Sequence, residues 1–343
     1  MYKKNNILPE ITVYRKLPQN ITEAQNVFFK DEITKTIPEV TMIELSHCVY
    51  SSYGLFKERS YKPISPFSYQ SKLSVTISIK NECKYLIPPK KKLHIAGTTV
   101  TITDNFSNGY FHWFCDALPR LFVLKHYNIP FDVLILPSFC LQEPYISESL
   151  LPFNIPSILQ LEPYMNAKLE KLISLSPIAP TGNYRPDIMK GLQSLYRSFY
   201  KLEKNTFTTS YQKIYISRAK APKRKVLNED EIIPILKQYG YIPVIMEELS
   251  FKEQVQLIGK ANRLVSLHGA GLTNMLFMPP ASKILEFRFP GDGINNCYFS
   301  LSNALDFEYY YIIGKNDSIK TDPHKDNIII NPENLKKTLE IID

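Results

Sequence analysis

The chain has no apolar run near the roughly 20 residues that a membrane-spanning helix needs, and no signal-peptide core at its start. Its five cysteines (Cys48, Cys83, Cys115, Cys140 and Cys297) are scattered, with no C-x-x-C pair. That pattern excludes a disulfide frame and a cysteine zinc site, and it fits free thiols in a reducing compartment. No Walker A sequence, G-x-G-x-x-G, H-E-x-x-H or G-x-S-x-G occurs, so the common signatures for nucleotide, dinucleotide, zinc-protease and serine-hydrolase chemistry are missing. Nor is there a D-x-D triplet, the usual carboxylate pair for a divalent metal on a nucleotide diphosphate. Internal repeats and low-complexity segments are absent too. The expectation is a cytoplasmic protein, in peripheral contact with a membrane at most.

What is present is ample: 343 residues, 44% hydrophobic and 22% charged, enough for two domains with real cores. A net charge of +8 favours an anionic ligand. Nucleic acid would also suit that charge, but outside Lys90–Lys92 and the run Lys220, Lys223, Arg224, Lys225 the cations are spread out. No nucleic-acid-binding signature accompanies them, so no nucleic-acid partner is expected.

Residues 1 to about 70 are polar and proline-punctuated. Lys72–Lys80 alternates as a strand, and Lys91–Asp104 reads as a strand or hairpin. Asn108–Lys125 reads as a helix that Pro119 should kink or break. Strand and helix patterns then alternate: strand 131–137, helix 145–151, a strand region from 155, strand 169–175 and helix 189–200. The polar stretch 205–210 is the candidate linker. Beyond it the alternation is regular: strand 213–217, helix 228–239, strand 241–245, helix 250–261, strand 264–267, helix 272–278 and strand 283–287. Asn228 with Glu231, and Ser250 with Glu253, each read as a capping box. This is the pattern of an α/β protein whose second half is doubly wound. The domains are expected at 1–205 and 206–343, with a final helix able to pack back on the first.

Three groups of residues stand out. In Arg263–Asn274 (RLVSLHGAGLTN) a buried strand meets a turn bearing two glycines and then a helix start. Backbone N–H groups and the positive helix end converge there, which favours a phosphate. His268 can donate to its oxygens, and Thr273 and Asn274 can bind the ligand or cap the helix. A plain strand–helix turn is the alternative. Glu286 closes the next strand, where a carboxylate accepts from ribose hydroxyls or pairs on the surface with Arg288.

The second group is Arg218 and Arg224, just past strand 213–217, where a diphosphate can be clamped bidentately. A solvated basic loop is the alternative, and the better one for Lys220, Lys223 and Lys225. The third is His112 and Asp116, four residues apart on one helix face with Asn108 four before. They make an acid/base unit or a plain surface pair. The apolar flanks Phe111, Trp113, Phe114 and Leu118 favour burial, and a buried polar stripe needs a partner.

The set N-x-x-x-H-x-x-x-D-x-L-P, I-S-R with a second Arg, V-L-N-E-D-E, H-G-A-G-L-T-N-M-L-F-M-P and I-L-E-F, over roughly 95–315, resembles glycosyltransferase family 61, which includes capsular polysaccharide biosynthesis proteins. The resemblance implies a GT-B fold: two Rossmann-like domains facing a central cleft, here with an irregular β-containing N-terminal region. It implies inverting transfer from a nucleotide sugar, usually UDP-linked, without cofactor or essential metal. Arg218, Arg224, His268, Gly269, Ala270, Gly271, Leu272, Thr273, Asn274 and Glu286 would form the donor site, with Asn108 on the acceptor side. Asp116 would be the base, oriented by His112, or the two roles are exchanged. The acceptor would be a glycan or lipid-linked glycan at the inner face of the membrane, with residues 1–90 shaping its recognition. A non-catalytic nucleotide-sugar or glycan-binding module of a polysaccharide assembly complex is the alternative.

Overall fold

The computed structural model describes residues 3–22, 27–51, 54–57, 91–104, 106–138, 140–162, 165–202, 212–293, 295–316 and 326–343. The expected strand at Lys72–Lys80 and the linker at 205–210 lie outside them. Contacts divide the chain into one unit of Met1–Ile11 and Ile37–Thr181, and another of Thr12–Thr36 and Gly182–Asp343.

The first unit is built on a mixed sheet. In chain order its strands are β1 (Lys3–Leu8), β4 (Val40–Ser51), β5 (Gly54–Lys57), β6 (Lys91–Thr101), β7 (Val133–Pro137), β8 (Ile158–Leu161) and β9 (Met165–Leu175); β2 (Ile11–Tyr14) and β3 (Thr34–Ile37) form a separate pair that falls mostly within Thr12–Thr36 of the second unit. The order across the sheet is β1-β4-β9-β6-β7-β8, with β5 beside β4. β6, β7, β8 and β9 run parallel, while β4 is antiparallel to β1, β5 and β9.

The helical stretch after β6 comprises α1 (Tyr110–His112), a π-turn (Trp113–Ala117) and α2 (Leu118–His126). Pro119 supplies no N–H to the ladder, and the Leu118 N–H reaches five residues back to Trp113 O instead of four. The expected disturbance is thus a local widening one turn before the proline. Trp113 Nε1 donates to the buried Ser149 Oγ at 2.7 Å, and Arg120 donates to Ile102 O at 2.6 Å, which fixes this stretch to α3 (Pro144–Leu150) and to the end of β6.

The second unit begins with α4 (Pro186–Phe199). Its strands are β10 (Gln212–Ile216), β11 (Tyr241–Val244), β12 (Ala261–Leu267), β13 (Lys283–Arg288) and β14 (Glu308–Ile313), all parallel in the order β11-β10-β12-β13-β14. Connecting them are α5 (Glu229–Gln238), α6 (Phe251–Ile258), a 3₁₀ helix (Ala270–Phe277) and α7 (Cys297–Ala304). The strand interiors are buried, which suits a parallel sheet covered on both faces. The order turns back between β10 and β12. The two strands stay paired to their carboxyl ends, and it is the connections after them that part, at the kind of position where ligands enter open α/β sheets.

Several expectations shift in detail. The division falls at Thr181/Gly182, not near 205, because α4 works for the second sheet: Gln193 donates to Met278 O and Arg197 to Phe277 O, both at 2.9 Å. The closing helix α8 (Pro332–Ile342) belongs to the second unit and packs on its sheet through Leu335, Leu339 and Ile342. The helix after β12 is 3₁₀, with Leu272 N–H donating to Gly269 O; apolar residues bury it on every side, so packing sets its form.

Of the two capping boxes, only Ser250/Glu253 forms. Asn228 occupies the N-cap of α5 but turns its amide to Ile330, donating to its carbonyl at 2.8 Å and accepting from its N–H at 3.0 Å. Ser250→Ala is expected to cost about 1 kcal/mol. Asn228→Ala should cost about 2–3 kcal/mol, since it leaves a buried N–H and carbonyl without partners. Denaturant unfolding measures both, and equal losses would contradict the difference.

Candidate active site

Two turns meet at the crevice. After β10 the chain runs through Ser217 and Arg218 to Arg224. Glu229, in the first turn of α5, holds this loop from beneath by accepting from Tyr215 OH (2.6 Å), Ser217 Oγ (2.9 Å) and the Arg218 N–H (3.4 Å). Arg224 has a left-handed backbone (φ 57°), which folds the loop back so that its carbonyl accepts from Arg218 Nε at 2.8 Å. Arg218 Nη2 donates to Lys223 O at 3.3 Å. Lys220, by contrast, pairs with Glu248 at an exposed position, as a solvated basic loop would.

After β12 comes His268-Gly269-Ala270-Gly271. Neither glycine lies in the left-handed region; the φ of Gly269, 164°, is an extended value open to any residue. Both positions are tight for a side chain. A Cβ on Gly269 would lie 2.9 Å from Arg218 Nη1, and one on Gly271 3.2 Å from Ile216 Cγ2. The guanidinium of Arg218 thus lies directly on the peptide backbone of the second turn. Arg218 and His268 come together at one crevice rather than on separate surfaces.

The crevice is strongly positive. Burial first, then the charge of Arg224, lowers the Arg218 guanidinium below its ordinary value, while Glu247 and Tyr298 act the other way. Arg224 Nε is buried, and among the described residues no acceptor meets it. Two neighbouring guanidiniums, one with an unused buried donor, suit a dianionic ligand.

His268 is held from both sides. Its Nδ1 bonds to Glu286 Oε1, and Asn295 Nδ2 lies 2.9 Å from Nε2. The Tyr298 ring packs edge-on, with centroids 5.0 Å apart. Glu286 is fully buried, its second oxygen accepting from Tyr309 OH. Burial acts to raise its pKa, but His268, Arg288 and Tyr309 outweigh it and hold the carboxyl below the ordinary range. Glu286 therefore positions the imidazole here, and is buried rather than paired at the surface. Arg288 is itself buried, donating to Tyr309 OH (3.2 Å) and to the carbonyls of Asp292 (2.6 Å) and Asn295 (3.3 Å).

The rest of the expected set divides. Ala270 and Gly271 are half-exposed at the helix start, but Leu272, Thr273 and Asn274 are fully buried. Gly269 occupies the N-cap position, so neither Thr273 nor Asn274 caps the helix; Asn274 donates to Gly271 O at 3.1 Å. The residues that sequence reading missed are Glu229, Asn295, Tyr298 and Tyr309. For Asn295 and Tyr309 no local signal exists, since their partners are more than 20 residues away.

In the first unit, His112 Nδ1 and Asp116 Oδ2 are 2.7 Å apart, with Thr181 Oγ1 donating to the same oxygen at 3.3 Å. The imidazole is the more open member, with side-chain exposure of 29% against 9% for the carboxylate. It lies between the rings of Phe106 and Phe111. Asn108 precedes the helix, which starts at Tyr110, so it does not extend the face; its carbonyl accepts from Tyr145 OH at 2.6 Å.

A carboxylate held below its ordinary pKa stabilises the fold above that ordinary value and loses the contribution as pH falls through and beneath it. Glu286→Gln should therefore lower stability at neutral pH and flatten the decline below the ordinary glutamate value of 4.5. Denaturant midpoints at neutral pH and at about pH 4 check this, and parallel declines would contradict it.

The family model for Glycosyltransferase 61 matches residues 110–285, just over half of the chain. Among curated proteins, the chain is 28% identical over 222 residues to the EGF domain-specific O-linked N-acetylglucosamine transferase of Mus musculus, covering 58% of this chain and 42% of that one. To its namesake in Drosophila melanogaster it is 33% identical over 138 residues, covering 37% and 26%. To the protein O-linked-mannose beta-1,4-N-acetylglucosaminyltransferase 2 of Tetraodon nigroviridis it is 43% identical over 70 residues, covering 20% and 12%. The chain thus spans less than half the length of these relatives. The matched stretch contains His112, Asp116, Arg218, Arg224 and the whole turn after β12, and on that match the chain belongs to glycosyltransferase family 61.

Proposed function

We propose that the chain transfers a sugar from a UDP donor to a glycan acceptor with inversion and without an essential metal, in building a capsular or other surface polysaccharide. The fold reading that goes with this is GT-B. The observation that carries it is the Arg218 guanidinium laid on Gly269 beside Arg224, at the reversal point of a parallel sheet. Those cations and the start of the 3₁₀ helix would offset the charge on the departing diphosphate, the part a metal ion plays elsewhere. His268, fixed by Glu286 and Asn295, would contact the donor.

In the transfer, the acceptor oxygen attacks the anomeric carbon, the bond from that carbon to the phosphate oxygen breaks, and a base takes the hydroxyl proton. His112 fits the base role better than Asp116. The carboxylate engages Nδ1, leaving Nε2 of the more open ring to take the proton. Asp116 then orients the ring and balances its charge. The relatives' names make UDP-N-acetylglucosamine the first donor to try. Among the described residues no helix is long and apolar enough to cross a membrane. Work at the inner membrane face on a lipid-linked acceptor would therefore be peripheral.

His112→Gln should lower kcat by about 10²–10⁴-fold, the scale of one general base, with UDP affinity unchanged. Steady-state transfer assays and calorimetry measure both. Turnover kept in His112→Gln but lost in Asp116→Asn would return the base role to the carboxylate. Nucleotide-sugar binding without any turnover would favour a binding module instead.

A further inference from the structure

Residues Thr12–Thr36 group with Gly182–Asp343, although the first unit lies between them in sequence. They cover the outer strand of the five-stranded sheet. Gln19 N–H donates to Tyr309 O at 2.9 Å, and the Asn20 amide exchanges two bonds with the Tyr311 backbone, at 2.7 and 3.1 Å. Arg15 donates to Glu32 at 2.9 Å and to Asn183 at 2.7 Å. Covering an edge strand is a sufficient reason for a strap, since open edges pair with other chains. It does not account for Phe28 and Phe29.

Phe29 is wholly buried against Phe299 and Tyr311, and the Arg288 guanidinium stands 5.2 Å from its ring centroid. The Phe28 carbonyl accepts from Asn296 Nδ2 at 2.9 Å, and its ring takes the space in front of Gly293, where a Cβ would lie 2.7 Å away. The strap therefore grips Arg288, which flanks Glu286, and the loop that brings Asn295 to His268. We propose that Phe28 and Phe29 are positioning residues of the donor site, fixing His268 through Asn295 and Arg288. This rests on the reading of His268 as a donor-site residue.

Phe29→Leu keeps apolar bulk but removes the ring face from Arg288, and Gly293→Ala displaces the Phe28 ring. In the full chain, each should raise donor KM and UDP Kd about tenfold, the scale of one desolvated cation–π contact, with kcat nearly unchanged. The effect of Gly293→Ala should vanish in an Asn295→Ala background, and the ¹⁵N resonance of His268 Nε2 should move in Gly293→Ala. A lowered Tm with wild-type KM, Kd and His268 resonance would overturn the proposal and leave the strap purely structural. If Phe29→Leu fails to fold, Gly293→Ala decides. If the wild type binds no UDP, the donor-site reading fails, and the His268 resonance alone still tests whether the strap sets the imidazole.

Discussion

A guanidinium resting on a peptide backbone that has no side chain is the contact on which the second unit's site depends. Arg218 lies on the turn after β12 where position 269 carries no Cβ, and a Cβ there would come within 2.9 Å of its Nη1. The contact joins loops from two neighbouring strands across the reversal point of the sheet and places a cation beside the first N–H groups of the 3₁₀ helix. A third element, Glu229, holds the loop from below, so the arginine is aimed before any ligand arrives. Preorganisation of this kind spares a binding site the cost of ordering long side chains.

Behind the crevice lies a buried polar chain: Asn295, His268, Glu286, Tyr309 and Arg288. A lone carboxylate at full burial would be protonated. Here an imidazole, a phenol and an adjacent guanidinium keep it charged. The same carboxylate settles which way the imidazole faces, so an ionised glutamate under the strand end is what holds the buried His268 in place. The first unit uses the same device in a more open form, with Asp116 turning His112.

The sequence declared the regular half of the fold well, because strands buried on both faces read as short apolar runs between amphipathic helices. It also drew attention to Arg218 and His268, which follow the ends of two such strands, and to Arg224 in the loop after the first. It misled where a local pattern has a distant partner. Asn228 sits three before Glu231 like a capping residue, yet its amide serves Ile330, 102 residues on. Glu286 was read as a strand-end acceptor, although its flanks Leu285 and Phe287 already point to burial. The close approach of Arg218 and Ile216 to the glycines of the turn is likewise a contact with another loop and strand, which the local sequence does not show. Phe29 and Asn295 could not be found at all, because what makes them matter is a tertiary contact between stretches far apart in the chain.

The proposed diphosphate site is formed by protein cations and backbone alone. Its most direct test is calorimetric titration of UDP, in EDTA, into the wild type and Gly269→Ala. The extended backbone at 269 admits alanine, so the variant should fold. The account predicts that UDP binds the wild type without a divalent ion and that Gly269→Ala weakens it at least about tenfold, as for one displaced charge-assisted bond. Equal affinities, or binding that appears only when a divalent ion is restored, would contradict it.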